Sequence, residues 1–214
     1  LSVMRTFSVG SWSNFGSTVI SIALLGFGLA GTGLTFIQRW IRKAPNRWLS
    51  NCALLFVLSM AVAHVLAQWV PFNPVMIASD RTQLLWIGAY YVIYSIPFFI
   101  GAVFISVAFM VMSSRIHALY FWNMTGSGLG GFFILVCMYF LPPDYLVLPL
   151  LFLAFLASLL SYMRYSSTEK RLWIEPRHLL ATVVVAVIAG GIVLGWGKIS
   201  VSDFKGVSYA RKFP

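Results

Sequence analysis

The 214-residue chain is 60% hydrophobic and only 9% charged, so it carries more apolar surface than a globule of this length can bury. A soluble domain has roughly a quarter charged residues. The net charge of +10 comes from short Lys and Arg clusters between apolar runs, without interleaved aromatics, which argues against nucleic acid as a partner. The composition therefore predicts an integral membrane protein that binds the lipid bilayer.

Six apolar runs are each long enough to cross about 30 Å of hydrocarbon, which takes about 20 helical residues. They predict an all-α, polytopic transmembrane bundle whose short connections leave no room for a further domain. The third run is long and has Pro97 near its middle, so we expect one tilted or kinked crossing. The helices are expected near residues 12–37, 48–70, 84–112, 118–141, 145–163 and 178–197, and together they make residues 1–197 a transmembrane domain.

The distribution of Lys and Arg predicts the orientation, because these residues are enriched in cytoplasmic loops. With six crossings, nine of the fifteen cations fall on one side, in the loops around Arg42, Arg115 and Arg171. The other six are Arg5, Arg81 and four cations of the tail. We therefore expect the loops near Arg42 and Arg171 to be cytoplasmic, which places both ends of the chain on the opposite side.

Glycine clusters mark three of the predicted helices. Gly126 and Gly130 lie four residues apart, as do Gly191 and Gly195, so each pair occupies one helix face where another backbone can approach closely. Helix packing is the favoured interpretation, and a lipid or ligand groove is the alternative. The expected packing partner for Gly126 and Gly130 is another helix of the same chain. The nearby polar residues Asn123 and Thr125 are candidates for bonding to that neighbouring helix.

His64 is the only ionisable residue deep inside a predicted span, and such groups are candidates for function because their desolvation is costly. Haem ligation and proton relay are two interpretations. The third is a neutral imidazole that bonds to a neighbouring helix. The sequence offers no second deep histidine for a bis-histidine haem site, since His117 and His178 lie at helix ends. We therefore predict neither a cofactor nor a metal site.

The predicted spans contain no Asp, Glu, Lys or Arg, so they lack the charged relays of pumps and the acid and base of hydrolytic enzymes. Cys52 and Cys137 both lie in apolar runs and are interpreted as packing residues. We therefore predict no catalytic residue in this chain. A transporter is the lowest-ranked function because an internal repeat is also missing.

A family resemblance lies in the fourth predicted helix. Tyr120, Asn123, Gly126 and Gly130 have the spacing of a Tyr-Xaa-Xaa-Asn/Asp-Xaa-Xaa-Gly-Xaa-Xaa-Xaa-Gly element, within Leu119–Gly131. This element resembles one in the membrane part of bacterial spermidine synthase-like proteins, which join membrane helices to an aminopropyltransferase-like domain. Three further segments are similar to other parts of that region and follow one another in the family's order. They are Gly26–Gly33, Ile96–Gly101 and Ile199–Pro214.

The resemblance implies that residues 198–214 are an extramembrane linker leading into a soluble domain. It implies a bacterial inner-membrane protein that anchors that domain. Any aminopropyl transfer would then occur outside this segment, because no position here matches the family's catalytic residues. The alternative is a non-catalytic accessory subunit that packs against a partner protein or a second copy in a larger membrane complex.

Overall fold

The computed structural model describes residues 1–10, 16–43, 45–167 and 176–199, which are helical apart from turns and short connections and contain no strand. Seven α-helices are present in these ranges. Their bounds are α1 Ser2–Gly10, α2 Thr18–Lys43, α3 Pro45–Gln68, α4 Thr82–Val111, α5 Ile116–Phe140, α6 Val147–Ser167 and α7 Pro176–Trp196.

Helices α2 to α7 are each long and apolar enough to cross a membrane, which confirms the predicted all-α fold class and the six spans. The predicted bounds differ most at α2, which continues to Lys43 where the apolar pattern predicts an end at residue 37. Its last turns carry Arg39, Arg42 and Lys43. These long side chains reach the aqueous interface from a helix that extends past the hydrocarbon, so hydropathy alone places the end too early.

The third apolar run forms one continuous helix, as predicted, with Pro97 buried inside α4. Its 30 residues span about 45 Å at 1.5 Å per residue, which exceeds the hydrocarbon thickness of about 30 Å. A helix of this length has to tilt or extend beyond the bilayer core.

Helix α1 was not predicted. It is nine residues long and buries Ser2, Val3, Thr6 and Phe7, which repeat at helical spacing on one face. The Phe7 ring packs on Tyr90 and Tyr94 of α4, with centroid distances of 4.7 and 5.6 Å. A segment this short gives no spanning signal, so its helical structure depends on these tertiary contacts.

Helix α3 is the centre of the bundle and packs against α4, α6 and α7, while α2 packs chiefly on α4. The closest approach of α2 and α4 is at Gly26, where a Cβ would lie 2.7 Å from the Cβ of Phe98. Helix α5 differs from the other spans. Only 6% of its most apolar window is buried, against 50% for α3, and its contacts within the described chain are few.

Candidate functional site at one end of the bundle

His64 lies closer to a helix end than the sequence predicts. Helix α3 ends at Gln68, which places His64 one turn, about 6 Å, from its end. The side chain is fully buried there. His64 lies within the candidate span Arg47–Gln68, and its intramembrane position stays a prediction.

The His64 ring connects α3 to the end of α7. Its Nε2 lies 3.1 Å from the backbone oxygen of Gly197, the first residue after α7. A carbonyl oxygen only accepts hydrogen bonds, so this geometry requires Nε2 to carry the proton in the neutral ring. Nδ1 then has a lone pair, and it has no hydrogen-bond partner among the described residues.

Asp144 holds the chain at Ile199, two residues after Gly197. It lies in the turn between α5 and α6, and its Oδ1 accepts a hydrogen bond from the backbone nitrogen of Ile199 at 2.7 Å. We refer to His64, Asp144, Gly197 and Ile199 as the α7 clamp, because together they fasten the end of α7 to α3 and to the α5–α6 turn.

The neighbouring α3–α4 connection is also ordered by a carboxylate. Asp80 accepts hydrogen bonds from the hydroxyl and backbone nitrogen of Thr82 and from Nε2 of Gln83. The hydroxyl of Thr82, followed by the side chain of Gln83 and the backbone of Thr82, lowers the pKa of the half-buried Asp80 carboxyl below its ordinary value. Asp80 therefore stabilises the start of α4 in its charged form.

The α7 clamp offers little for redox or metal chemistry. The described residues contain no group of three or more His, Cys, Asp or Glu side chains that could hold a metal ion. His117 is exposed on the first turn of α5, and the side chain of His178 lies outside the described residues. Cys52 and Cys137 are free thiols on separate helices. The arrangement fits a structural role for His64, in which the ring bonds to a neighbouring segment.

The predicted contact of Gly126 and Gly130 with another helix of this chain is wrong for the described residues. A Cβ built at either position meets no described atom within 4 Å, and the same holds for Gly191 and Gly195 on α7. Lipid tails are as apolar as the exposed surface of α5, so the hydrophobic effect supplies no force that drives this helix onto the bundle.

Asn123 and Thr125 lie half-buried on α5. No hydrogen bond from either side chain to a neighbouring helix is seen in the described part of the chain, so their bonding to another helix stays a prediction. The glycine that does bring two backbones together, Gly26, belongs to another of the glycine clusters visible in the sequence.

A groove between α3, α6 and α7 was not anticipated as such from the sequence. It has a volume of about 340 Å³ and an apolar lining that includes Val57 of α3, Phe152 of α6 and Gly190 of α7. A Cβ built on Gly190 meets no described atom within 4 Å, so the missing side chain leaves this wall open. The sequence signal for it is the glycine cluster of α7, Gly190 to Gly197, because a lipid or ligand groove was the alternative to helix packing for such clusters.

No protein-family model, curated protein or solved structure matches this chain. Its function therefore has to be argued from the residues and the geometry described above.

Proposed function

We propose that the chain is a non-catalytic membrane domain that anchors the polypeptide following α7 and fixes where it leaves the bundle. The α7 clamp carries this proposal. Two hydrogen bonds hold the exit segment against two different parts of the bundle: the His64 ring donates to the backbone oxygen of Gly197, and the backbone nitrogen of Ile199 donates to Asp144. A helix that only filled space in the bilayer would not need its exit segment held in this way.

The resemblance at Tyr120, Asn123, Gly126 and Gly130 narrows the proposal to the membrane domain of a spermidine synthase-like protein in a bacterial inner membrane. Residues 200–214, the main part of the expected linker, lie outside the described residues. In this proposal the transferase chemistry belongs to a soluble domain that follows them, and the spans contribute anchoring alone.

The proposed orientation places the loops around Arg42 and Arg171 in the cytoplasm, on the charge count. The α7 clamp then lies on the opposite side of the membrane, and so does any domain that follows it. Such a domain would be separated from cytosolic decarboxylated S-adenosylmethionine and polyamines. The proposal therefore favours a substrate supply, or a reaction, that differs from ordinary spermidine synthesis.

The complete translation of the gene and the intact mass of the mature protein test the anchoring proposal. We expect a longer chain with a Gly-rich, Asp-containing soluble domain after residue 214. The purified full-length protein should then be assayed for aminopropyl transfer from decarboxylated S-adenosylmethionine to a diamine. A mature chain that ends near residue 214 would refute the proposal, and a full-length protein without this transfer would refute its spermidine synthase-like part.

The second candidate is an accessory subunit of a larger membrane complex, and α5 is the observation that favours it. This span is almost unburied in the described chain, and the Cβ positions of Gly126 and Gly130 are open. The partner would be another membrane protein or a second copy of the chain.

Oligomeric state in mild detergent tests the second candidate. Gly130→Leu should dissociate the complex without unfolding the subunit, while Gly28→Leu on α2, where a Cβ is equally free, should leave the complex intact. A monomer before and after both substitutions would contradict the accessory role.

A further inference from the structure

The groove between α3, α6 and α7 lies next to the α7 clamp. On α3, Val57 of the groove and His64 of the clamp are seven residues apart, which places them on the same helix face two turns from each other. On α6, the lining begins at Leu148, four residues after Asp144. The clamp therefore joins the three helices at one end, and the groove opens directly below the point where they are joined.

The shape and lining of the groove suit a hydrocarbon chain. On α6 it extends from Leu148 to Phe155, about 10 Å along the helix axis, and its volume of about 340 Å³ is at the small end of the range of ligand pockets. The exposed side chains of Phe152 and Val187 lie at its margin, so it is open to the surrounding bilayer. Lipid is the solvent at this depth, and one acyl chain can enter from the side without crossing a polar barrier.

A positive charge lies beyond the end of the groove that faces the clamp. Lys198 is exposed and directly follows Gly197 of the clamp, eight residues after Gly190 of the groove wall. Six helical residues, about 9 Å, separate Gly190 from the end of α7 at Trp196, so Lys198, two residues beyond that end, stands at headgroup level when an acyl chain lies beside Gly190. Asp144 accepts a hydrogen bond from the backbone nitrogen of Ile199 with Oδ1, and no ion pair of Lys198 is seen among the described residues. Lys198 is therefore available for an anionic headgroup.

We propose that this groove is a binding site for one anionic phospholipid, with an acyl chain between α6 and α7 and the phosphate beside Lys198. The site is separate from the exit function of the clamp, whose residues do not line the groove. A bound phospholipid would stabilise the packing of α6 against α7.

Native mass spectrometry of the protein with phosphatidylglycerol or phosphatidylcholine tests the proposal. We expect one phosphatidylglycerol to be retained by the native chain. Gly190→Leu should weaken retention about tenfold, because the leucine side chain fills the space beside Gly190 that the acyl chain occupies. Gly191→Leu is the matched control, because its Cβ is equally free and Gly191 does not line the groove. Lys198→Gln should remove the preference for phosphatidylglycerol.

A second measurement does not depend on the folding of the Gly190 variant. In Phe152→benzoylphenylalanine, irradiation should cross-link an acyl chain of phosphatidylglycerol in preference to phosphatidylcholine. The same probe at the exposed Phe36 of α2 should cross-link both lipids equally. Equal retention by Gly190→Leu and the native chain, equal cross-linking of both lipids at position 152, or cross-linking there to a second copy or to a partner protein would overturn the proposal.

Discussion

Substituting Gly26 by alanine should separate α2 from α4. The added Cβ would lie 2.7 Å from the Cβ of Phe98 and 2.9 Å from the backbone nitrogen of Phe99, and neither atom is the flexible end of a side chain. The two backbones therefore have to move apart. Overpacking of this kind costs about 1–3 kcal/mol.

The matched control is Gly28→Ala, two residues further along the same helix, where a Cβ meets no described atom within 4 Å. Both substitutions replace a glycine inside α2, so both gain a similar helix propensity of up to about 1 kcal/mol. The difference between the two variants isolates the contact with α4. We expect Gly26→Ala to be less stable than Gly28→Ala by about 1–3 kcal/mol.

Reversible unfolding of the protein in bicelles by an added denaturing detergent measures this difference. Intrinsic tryptophan fluorescence follows the transition, and helical circular dichroism shows whether the folded baseline is preserved. Equal unfolding free energies for the two alanine variants would refute the assignment of Gly26 as the contact that sets the distance between α2 and α4.

Three further predictions concern the membrane orientation and the polar groups at the clamp end. Arg42→Cys should resist an impermeant maleimide added to intact cells and react after permeabilisation. Labelling from outside would show that the predicted orientation is wrong. The Asp80 carboxyl should titrate below its ordinary pKa by NMR, so its stabilising contribution is present above the unfolded-state value and is lost as the pH falls through the folded-state value. Thr82→Ala should raise that pKa, and an unchanged titration would show that the hydroxyl is not its main cause. Asp144→Ala should speed hydrogen exchange of the Ile199 amide and cost about 1–2 kcal/mol, whereas Asp144→Asn keeps an acceptor oxygen and should exchange as the native chain does.

Hydropathy was sufficient for the six spans because each apolar run exceeds the length needed to cross the bilayer, and the continuous α4 followed from the length of its run. It was insufficient for α1, whose nine residues are helical because Phe7 packs on Tyr90 and Tyr94 of α4, which is distant in the sequence. The surroundings of His64 could not be predicted for a related reason. Its depth depends on where α3 ends, and its partner Gly197 lies 133 residues away in the chain.

The glycine clusters show a limit of a different kind. Gly26 and Gly126 present the same local signal, a small residue on an apolar helix, yet only Gly26 meets another helix in the described structure. Spacing identifies a face that permits close approach, and it carries no information on which helix occupies that face. This difference follows from tertiary arrangement, so it could not be predicted from one sequence.

The way in which the spans are held together bears on the role of α5. Lipid tails are as apolar as the helix surfaces, so association of the spans requires close packing or hydrogen bonds. Helix α2 uses the close approach at Gly26, α4 receives the Phe7 ring of α1, and α7 is fastened by the clamp at Gly197. Among the described residues α5 has no comparable contact, although it carries the stripe of Gly126 and Gly130. A surface that permits close packing but is left unoccupied by its own chain is the expected property of an assembly face. For this reason Gly130→Leu should alter oligomeric state before it alters the stability of the subunit.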